Sequence, residues 1–312
     1  MAQPHTVGVE HATEVRATAE SVYRLLADIG NWPRMFRPFV HLESLGTEGG
    51  FERIGMWTTS GDEVVHWVAR RRLDERGLRV EFRPEVAHPP LESMRRSWVV
   101  EPSSGEECLV RLVHEYRVAG DDPAGADTVR RMIDEVAEGE LAALRTAAEQ
   151  EAASPDLRLV LDDAVRIAGS AAEVYEFLYS AQHWPERLPH VARAEVREGA
   201  TDTHLLEMDT HESQGGVFTT RTARVGRPNR EIAYKQLLLP PLGSSHHVRW
   251  RIEETGAGVT VRSRQVVVIN LPGVERLLGS GADLAQARSF VRRELDSKVR
   301  LVLDGAKAHV ER

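Results

Sequence analysis

Residues 21–40 read SVYRLLADIGNWPRMFRPFV, and residues 172–191 read AEVYEFLYSAQHWPERLPHV. The Trp-Pro dipeptide of the first stretch, Trp32-Pro33, returns in the second as Trp184-Pro185, at an offset of 152 (184 − 32). A repeat whose period is about half of a 312-residue chain has the length of a domain. The stretch therefore indicates a duplicated domain.

The same offset continues through the rest of each copy. Downstream residues match in pairs, with Phe82 and Tyr234, and Trp98 and Trp250, at 152, and Pro89-Pro90 and Pro240-Pro241 at 151. Offsets that shift by one residue and return are typical of insertions in the loops of two copies of one fold. We predict a first domain at 1–152 and a second at 153–312, with a short linker at Ala153-Ser154-Pro155.

The composition and the motifs that do not occur argue against several classes of partner and site. The formal net charge of −8 argues against a nucleic acid as partner. The single cysteine, Cys108, permits no intrachain disulfide and fits a reducing compartment, so we expect a cytoplasmic protein. No apolar run approaches ~18 residues, so no membrane association is expected. Nucleotide-binding and serine-hydrolase motifs do not occur, and we expect no cofactor and no metal site.

Hydrophobic periodicity predicts the same order of elements in each half: a strand, two short helices, six strands and one long helix. Asn31 is the predicted N-cap of the second short helix, and Asp283 that of the last long helix. The long helices are predicted at 128–151 and 284–308. Short strands closed by an amphipathic helix favour an α+β fold, in which a curved antiparallel sheet wraps around the C-terminal helix and leaves a cavity.

Strand parity indicates which first-half side chains face that cavity. Trp67, Ala69 and Arg71 share one face of a strand, and the tryptophan suggests that this face points inward. Arg71 would then be an interior charge, although it could also lie at the sheet edge, and a bulge would exchange it for a neighbouring arginine. Trp98 lies on the inward face of one later strand and His114 on the inward face of another. The tryptophans could simply be core, and His114 a buried histidine without a catalytic role.

The second half offers a more polar lining. Thr220, Thr222 and Arg224 share one strand face, and His246 and Trp250 share another. Gln265, on the last strand, occupies the position that matches His114, at an offset of 151 (265 − 114). An arginine is thus predicted inside each half.

Three features carry a resemblance to a known family: the Trp-Pro helix start, the sequence HWVARRRLDERG at 66–77, and the strand from Met94 to Trp98. The chain resembles the polyketide aromatase/cyclases of bacterial type II polyketide synthases. These are helix-grip proteins of the START/Bet v 1-like superfamily, and two copies in one chain resemble the di-domain subclass. The resemblance implies two tandem helix-grip domains, each a curved antiparallel sheet around a long C-terminal helix.

The resemblance also implies a set of pocket residues. In the first half these are Trp32, Phe36, Phe39, Trp67, Trp98 and Arg71, and in the second Trp184, His190, Thr220, Thr222, His246, Trp250, Gln265 and Arg224. Ala69 stands where the family carries a serine, and Phe39 where it carries a tyrosine, so two hydroxyl groups are missing from the first half.

The function that the resemblance implies is cyclisation of the first ring of a poly-β-ketone bound to an acyl carrier protein, followed by dehydration and aromatisation. Other subunits of the type II polyketide synthase would be partners. Arg71 and Arg224 would stabilise a developing oxyanion, and His114 would serve as acid or base. We expect the first half, with its wall of aromatic rings, to carry the chemistry. Two alternatives are a non-catalytic carrier of an apolar small molecule, and a pair in which one half is only structural.

Overall fold

The computed structural model describes residues 6–119, 123–211, 216–256 and 258–312. It contains two seven-stranded antiparallel sheets, and each sheet takes all its strands from one half of the chain. The chain divides into two compact units, one of Met1–Met56 with His66–Pro155 and the other of Trp57–Val65 with Asp156–Arg312. The predicted α+β architecture of two such sheets, each followed by a long helix, is confirmed.

The first half forms β1 to β7 and α1 to α3. Its elements are β1 (Val7–Val15), α1 (Ala19–Ala27), α2 (Trp32–Met35), β2 (Phe39–Glu48), β3 (Phe51–Ser60), β4 (Glu63–Asp74), β5 (Arg79–Pro84), β6 (Leu91–Pro102), β7 (Cys108–Val118) and α3 (Pro123–Ala153). The strand order in the sheet is β1-β7-β6-β5-β4-β3-β2, so the first strand closes against the last. Such a meander needs only short connections between neighbouring strands.

The second half repeats this plan and adds one helix. Its elements are β8 (Arg158–Ile167), α4 (Ala171–Tyr179), α5 (Trp184–Arg187), β9 (Val191–Glu198), β10 (Thr203–His211), β11 (Val217–Arg227), β12 (Glu231–Leu238), β13 (Gly243–Thr255), β14 (Gly258–Ile269), α6 (Leu271–Leu278) and α7 (Leu284–Val310). The strand order is β8-β14-β13-β12-β11-β10-β9. The helix α6 was not predicted, because it has only eight residues and includes Gly273, which disfavours helices, whereas Pro272 lies in the first turn, where proline is tolerated.

Capping residues explain where the helices begin. Asp283 caps α7, accepting a hydrogen bond from the Gln286 backbone N–H at 2.8 Å, as predicted. Asn31 occupies the N-cap position of α2 and Pro33 lies in the first turn, as predicted, although the Asn31 side chain makes no capping bond. Asp28 accepts from the Gly30 N–H at 2.9 Å and begins a 3₁₀ turn, while the side-chain Oδ1 of Asn31 accepts from the Nε–H of Arg34 at 3.2 Å.

The long helices supply one side of each core. Val299, Val302 and Leu303 of α7 are buried among the residues of α4 and the sheet. In α3 the buried face includes Leu141 and Leu144. Across the described residues, no helix is both long and apolar enough to span a membrane.

Candidate functional site

In each half, a tryptophan and an arginine side chain donate hydrogen bonds to the C-terminal end of the first helix, α1 or α4. The indole Nε1–H of Trp32 donates to the carbonyl of Leu26 at 3.0 Å, and that of Trp184 donates to Phe177 at 2.9 Å. The guanidinium of Arg71 donates to Ala27, and that of Arg224 to Leu178, both at 2.6 Å. The last carbonyls of a helix lack partners within the helix, so these contacts satisfy α1 and α4 at their ends. Both arginines therefore have a structural task.

Arg71 is a neutralised cation. Its Nε lies 2.8 Å from Oε2 of Glu52 on β3, and the residue is only 5% exposed. The neighbouring Arg72 side chain is 58% exposed, so the strand register is the one that parity predicted. With one N–H on a carboxylate and another on a helix carbonyl, Arg71 is held in a structural network.

Arg224 has the same place and different surroundings. It is 1% exposed, and its Nε and Nη1 have no hydrogen-bond partner. Among the described residues, no carboxylate lies within ion-pair distance of its guanidinium. Instead the guanidinium lies over three aromatic rings, 5.3 Å from the centroid of Trp184 and 5.8 Å from those of Tyr234 and Trp250. Burial lowers the pKa of Arg224 to about 10, so it stays positively charged at neutral pH.

A cavity of about 130 Å³ lies beside Arg224, between the sheet of the second half and α7. All eight second-half residues named by the sequence line it: Trp184, His190, Thr220, Thr222, Arg224, His246, Trp250 and Gln265. The alternation of strands β11, β13 and β14 places six of them there, since alternate residues share a face of the sheet, while Trp184 comes from α5 and His190 from the segment before β9.

The cavity has a buried end and an exposed end. Arg224, Trp184 and Trp250 are buried, whereas Lys298 of α7 is exposed and also lines the cavity. The ammonium of Lys298 lies 5.8 Å from the centroid of the Phe218 ring. The cavity thus carries one positive charge at depth and a second where it meets solvent.

Sequence reasoning missed several residues of this lining, among them Lys298, Tyr234 and Gln236. Two signals were present. Lys298 lies four residues before Val302 on the apolar stripe of α7, and Tyr234 matches the core residue Phe82 at the repeat offset of 152 (234 − 82).

Two histidines of the cavity differ in their freedom to exchange protons. His246 lies between two amides, with its Nδ1 2.8 Å from Gln236 Oε1 and its Nε2 3.0 Å from Gln265 Oε1. Burial lowers the pKa of His246 to about 4. His190 Nδ1 has no hydrogen-bond partner, and burial, with a smaller contribution from Lys298, lowers its pKa. His190 is therefore the histidine that can accept a proton, and His246 is held in place by its neighbours.

The threonines also differ. The hydroxyl of Thr222 has no hydrogen-bond partner, while that of Thr220 contacts the Met208 carbonyl at 3.4 Å. Since Thr222 stands two residues before Arg224 on the same face of β11, its hydroxyl is the free donor nearest to the guanidinium along the strand.

The first-half aromatic residues pack against one another. The ring of Trp32 lies 5.2 Å from that of Phe36 and 5.1 Å from that of Phe39, and Phe36 stacks on Trp98 at 6.0 Å. Trp67 is partly buried and packs against the same core. These contacts are those of a hydrophobic core, in which edge-to-face pairs add to the stability.

His114 is buried beside a paired arginine. It faces Arg96 across β6 and β7, and Arg96 forms an ion pair with Glu140 of α3. Burial, and then the charge of Arg96, lower the pKa of His114 to about 3. At neutral pH the imidazole is neutral and has no proton to give as an imidazolium.

Comparison with known families covers both halves. Residues 6–149 and 167–300 match two family models, each described as polyketide cyclase/dehydrase and lipid transport. The chain belongs to this family. The predicted family, and with it the helix-grip fold of the START/Bet v 1-like superfamily, is confirmed.

Relatives match the chain over nearly its whole length. The granaticin polyketide synthase bifunctional cyclase/dehydratase of Streptomyces violaceoruber is 36% identical over 284 residues, which are 91% of this chain and 88% of the relative. The actinorhodin polyketide synthase bifunctional cyclase/dehydratase of Streptomyces coelicolor is 36% identical over 318 residues, covering 99% and 98%.

Solved structures of two di-domain proteins also match nearly the whole chain. The crystal structure of the di-domain ARO/CYC BexL from the BE-7585A biosynthetic pathway superposes with a TM-score of 0.93 at 40% identity, over 98% of this chain and 99% of that one. The di-domain ARO/CYC StfQ from the steffimycin biosynthetic pathway gives 0.87 at 32% identity, over 97% and 98%. These findings favour a polyketide cyclase over the alternative of a non-catalytic carrier.

Proposed function

We propose that this polyketide cyclase closes the first ring of a poly-β-ketone bound to an acyl carrier protein, by aldol reaction, and then dehydrates and aromatises it. It would act with the other subunits of a type II polyketide synthase in the cytoplasm. The observation that carries the proposal is Arg224, a buried cation without a carboxylate partner among the described residues, at the inner end of the second-half cavity.

The cavity has the size of one ring. Engineered cavities of ~150 Å³ in protein cores bind benzene, and the second-half cavity measures about 130 Å³. The indoles of Trp184 and Trp250 are flat apolar walls beside it. A cavity of this size restricts the folded chain to conformations that bring one carbon pair together, which lowers the entropic cost of ring closure.

Arg224 suits the charge that the first step develops. An enolate carbon forms a bond to a carbonyl carbon, and the electron pair of the carbonyl π bond moves to its oxygen to give an alkoxide. The free Nε–H and Nη1–H of Arg224 can donate to that oxygen, and the hydroxyl of Thr222 is a third donor. Donors in a buried site stabilise such an oxyanion far more than the same donors in water.

His190 suits the second step. Dehydration removes a proton from the carbon next to the new carbinol, forms a carbon–carbon double bond, and expels the protonated hydroxyl group as water. The lowered pKa of His190 keeps its imidazole neutral, so it can accept that proton and pass it to the departing hydroxyl. The exposed Lys298 marks the end at which a tethered chain would enter.

These contacts favour the second half for the chemistry, whereas the aromatic residues of the sequence suggested the first. Arg71 already has Glu52 and Ala27 as partners, and the first-half rings contact one another. The first half is then the copy in which the inward arginine serves stability.

The test is reconstitution of a minimal type II polyketide synthase, with its acyl carrier protein, in the presence and absence of this protein. We expect a dehydrated aromatic product with one ring pattern in its presence, and a mixture of spontaneously cyclised products in its absence, resolved by liquid chromatography and mass spectrometry. A non-catalytic carrier would leave the mixture unchanged at substoichiometric protein, and that result would overturn the proposal.

A further inference from the structure

The surroundings of the two arginines differ most at one position of the repeat. Glu52 of β3, which neutralises Arg71, matches His204 of β10 at the repeat offset of 152 (204 − 52). His204 is paired with Arg224 across strands β10 and β11 in the antiparallel register. The duplicated fold thus places a carboxylate beside one arginine and an imidazole beside the other.

The imidazole of His204 is neutral. It is 1% exposed, and neither ring nitrogen has a hydrogen-bond partner. Burial, with a smaller contribution from the Arg224 charge, lowers its pKa to about 2. A buried guanidinium and an imidazolium would repel each other, so the uncharged ring is the stable form beside Arg224.

Burying a histidine whose two ring nitrogens lack hydrogen-bond partners is energetically unfavourable. Leaving buried polar atoms without partners costs roughly 1–3 kcal/mol, and an aliphatic side chain would avoid that cost. The ring is nonetheless fixed, because it packs edge-on against Tyr179 with centroids 4.6 Å apart, and Tyr179 stacks on Tyr175 at 5.2 Å. The position is therefore rigid, polar and uncharged.

We propose that His204 is a positioning residue that holds Arg224 unneutralised, so that the guanidinium pairs with an anionic oxygen of a ring-sized ligand, an enolate or a phenolate. This inference rests on the proposed function for the identity of the natural ligand. A carboxylate at position 204 would accept from the Nε–H of Arg224, as Glu52 does from Arg71, and would leave a ligand oxygen to compete with it.

The probe for the test is 4-nitrophenol, a single ring whose ionised and neutral forms absorb at different wavelengths. A free cation beside the bound ring stabilises the phenolate and lowers the pKa of the bound probe. We expect the wild-type protein to lower it by about one unit, which corresponds to about tenfold tighter binding of the anion than of the neutral phenol. The assay contains no polyketide, so it can succeed or fail independently of the cyclase reaction.

Four variants of the full-length protein decide the role of His204. His204→Gln is uncharged and should keep the wild-type pKa of the bound probe, whereas His204→Glu should abolish the shift. Arg224→Met should abolish it too, which shows that the exposed Lys298 is not its source. Glu52→Gln, in the first half, is the matched control and should leave the probe unchanged.

The proposal is overturned if wild-type protein does not lower the pKa of the bound probe, or if His204→Glu still lowers it. It is also overturned if His204→Gln loses the shift as fully as His204→Glu, since the ring itself would then be needed, or if Glu52→Gln changes the shift. Circular dichroism checks that each variant is folded. Should His204→Glu not fold, His204→Asp places a smaller carboxylate at the same position and decides in the same way.

Discussion

The two halves of this protein hold one arginine in one place and surround it in opposite ways. In the first half Arg71 meets Glu52, and in the second Arg224 meets three aromatic rings and the neutral His204. Both guanidinium groups still donate to the end of a helix. The comparison teaches that the helix contact is the shared structural task, and that a change on the neighbouring strand decides whether the remaining N–H groups are free for a ligand.

The aromatic residues of the two halves also differ, with packed rings in the first half and a cavity in the second. Trp32 is enclosed by Phe36 and Phe39, whereas the matching Trp184 lines a cavity. Leu188, buried beside α7, stands near the position that Phe36 holds in the first half. A smaller side chain at this position leaves more room beside the tryptophan of the second half.

The largest expected effect comes from removing each arginine in turn. Arg224→Met should lower the rate of formation of the cyclised product by ~100-fold or more, because an oxyanion donor in a buried site is lost. Arg71→Met should leave the rate of the folded protein nearly unchanged. The measurement is the initial rate in the reconstituted synthase. Arg224→Lys, which keeps the charge without the fork, separates charge from geometry. Equal losses for Arg71→Met and Arg224→Met would remove the distinction between the halves.

Breaking the Arg71–Glu52 pair should lower the stability of the protein and leave its catalytic rate nearly unchanged. Arg71→Met leaves the Glu52 carboxylate and the Ala27 carbonyl without their partner, and we expect a loss of about 3 kcal/mol in the free energy of unfolding. Urea denaturation of the single variants and of Arg71→Met with Glu52→Gln gives the coupling energy of the pair. A coupling near zero would show that the two side chains are only neighbours.

One substitution, glycine to alanine, should have opposite signs in the two halves. At Gly226 a Cβ would lie 2.1 Å from the Tyr175 hydroxyl oxygen and 2.6 Å from Tyr179, so Gly226→Ala must displace the tyrosine pair and should cost about 2 kcal/mol. At Gly139, within α3, a Cβ meets nothing within 4 Å, and Gly139→Ala should stabilise by about 0.5–1 kcal/mol. Denaturation midpoints measure both. A stabilising Gly226→Ala would mean that the tyrosines are mobile.

Acid should weaken the second half more steeply. Burial lowers the pKa from 6.5 to about 2 for His204 and about 4 for His246 in the second half, and to about 3 for His114 in the first. Below about pH 6.5 the unfolded chain binds these protons and the folded chain does not, so stability present above pH 6.5 is lost as the pH falls toward the folded values.

Each such histidine contributes ~1.4 kcal/mol per pH unit, so the second half should lose about twice as much as the first. Hydrogen exchange of the core amides of each half, at neutral and mildly acid pH, measures the two slopes. His246→Gln and His114→Gln should each flatten the slope of their own half alone. Equal slopes in the wild-type protein would contradict the difference in buried histidines.

Much of the fold and part of the site could be predicted from the sequence. The repeat offset found the duplication, and strand parity placed both arginines inward, with five further second-half residues: Thr220, Thr222, His246, Trp250 and Gln265. The partner of each arginine could not be predicted, because Glu52 and His204 lie on neighbouring strands whose pairing depends on turn geometry. The helix α6 begins beside a segment distant in sequence: the Asn270 side chain donates to the Pro241 carbonyl at 2.9 Å, and a Cβ at Gly273 would lie 2.2 Å from the same oxygen.

The residues that escaped prediction share a physical reason. Lys298 was not predicted, because it lies on the exposed surface of α7 and only its long side chain reaches the cavity. Whether tryptophans enclose a cavity or fill a core depends on the volumes of their neighbours, which no strand pattern shows.

The measurement that tests the central claim most directly is a crystal structure of the full-length protein with resorcinol, a ring with two hydroxyl groups like those of an aromatised polyketide. We predict the ring in the second-half cavity, beside Trp184 and Trp250, with a hydroxyl oxygen within ~3.2 Å of the Nε or Nη1 of Arg224. A ring bound in the first half against Trp67, with the guanidinium of Arg224 free of ligand, would contradict the account.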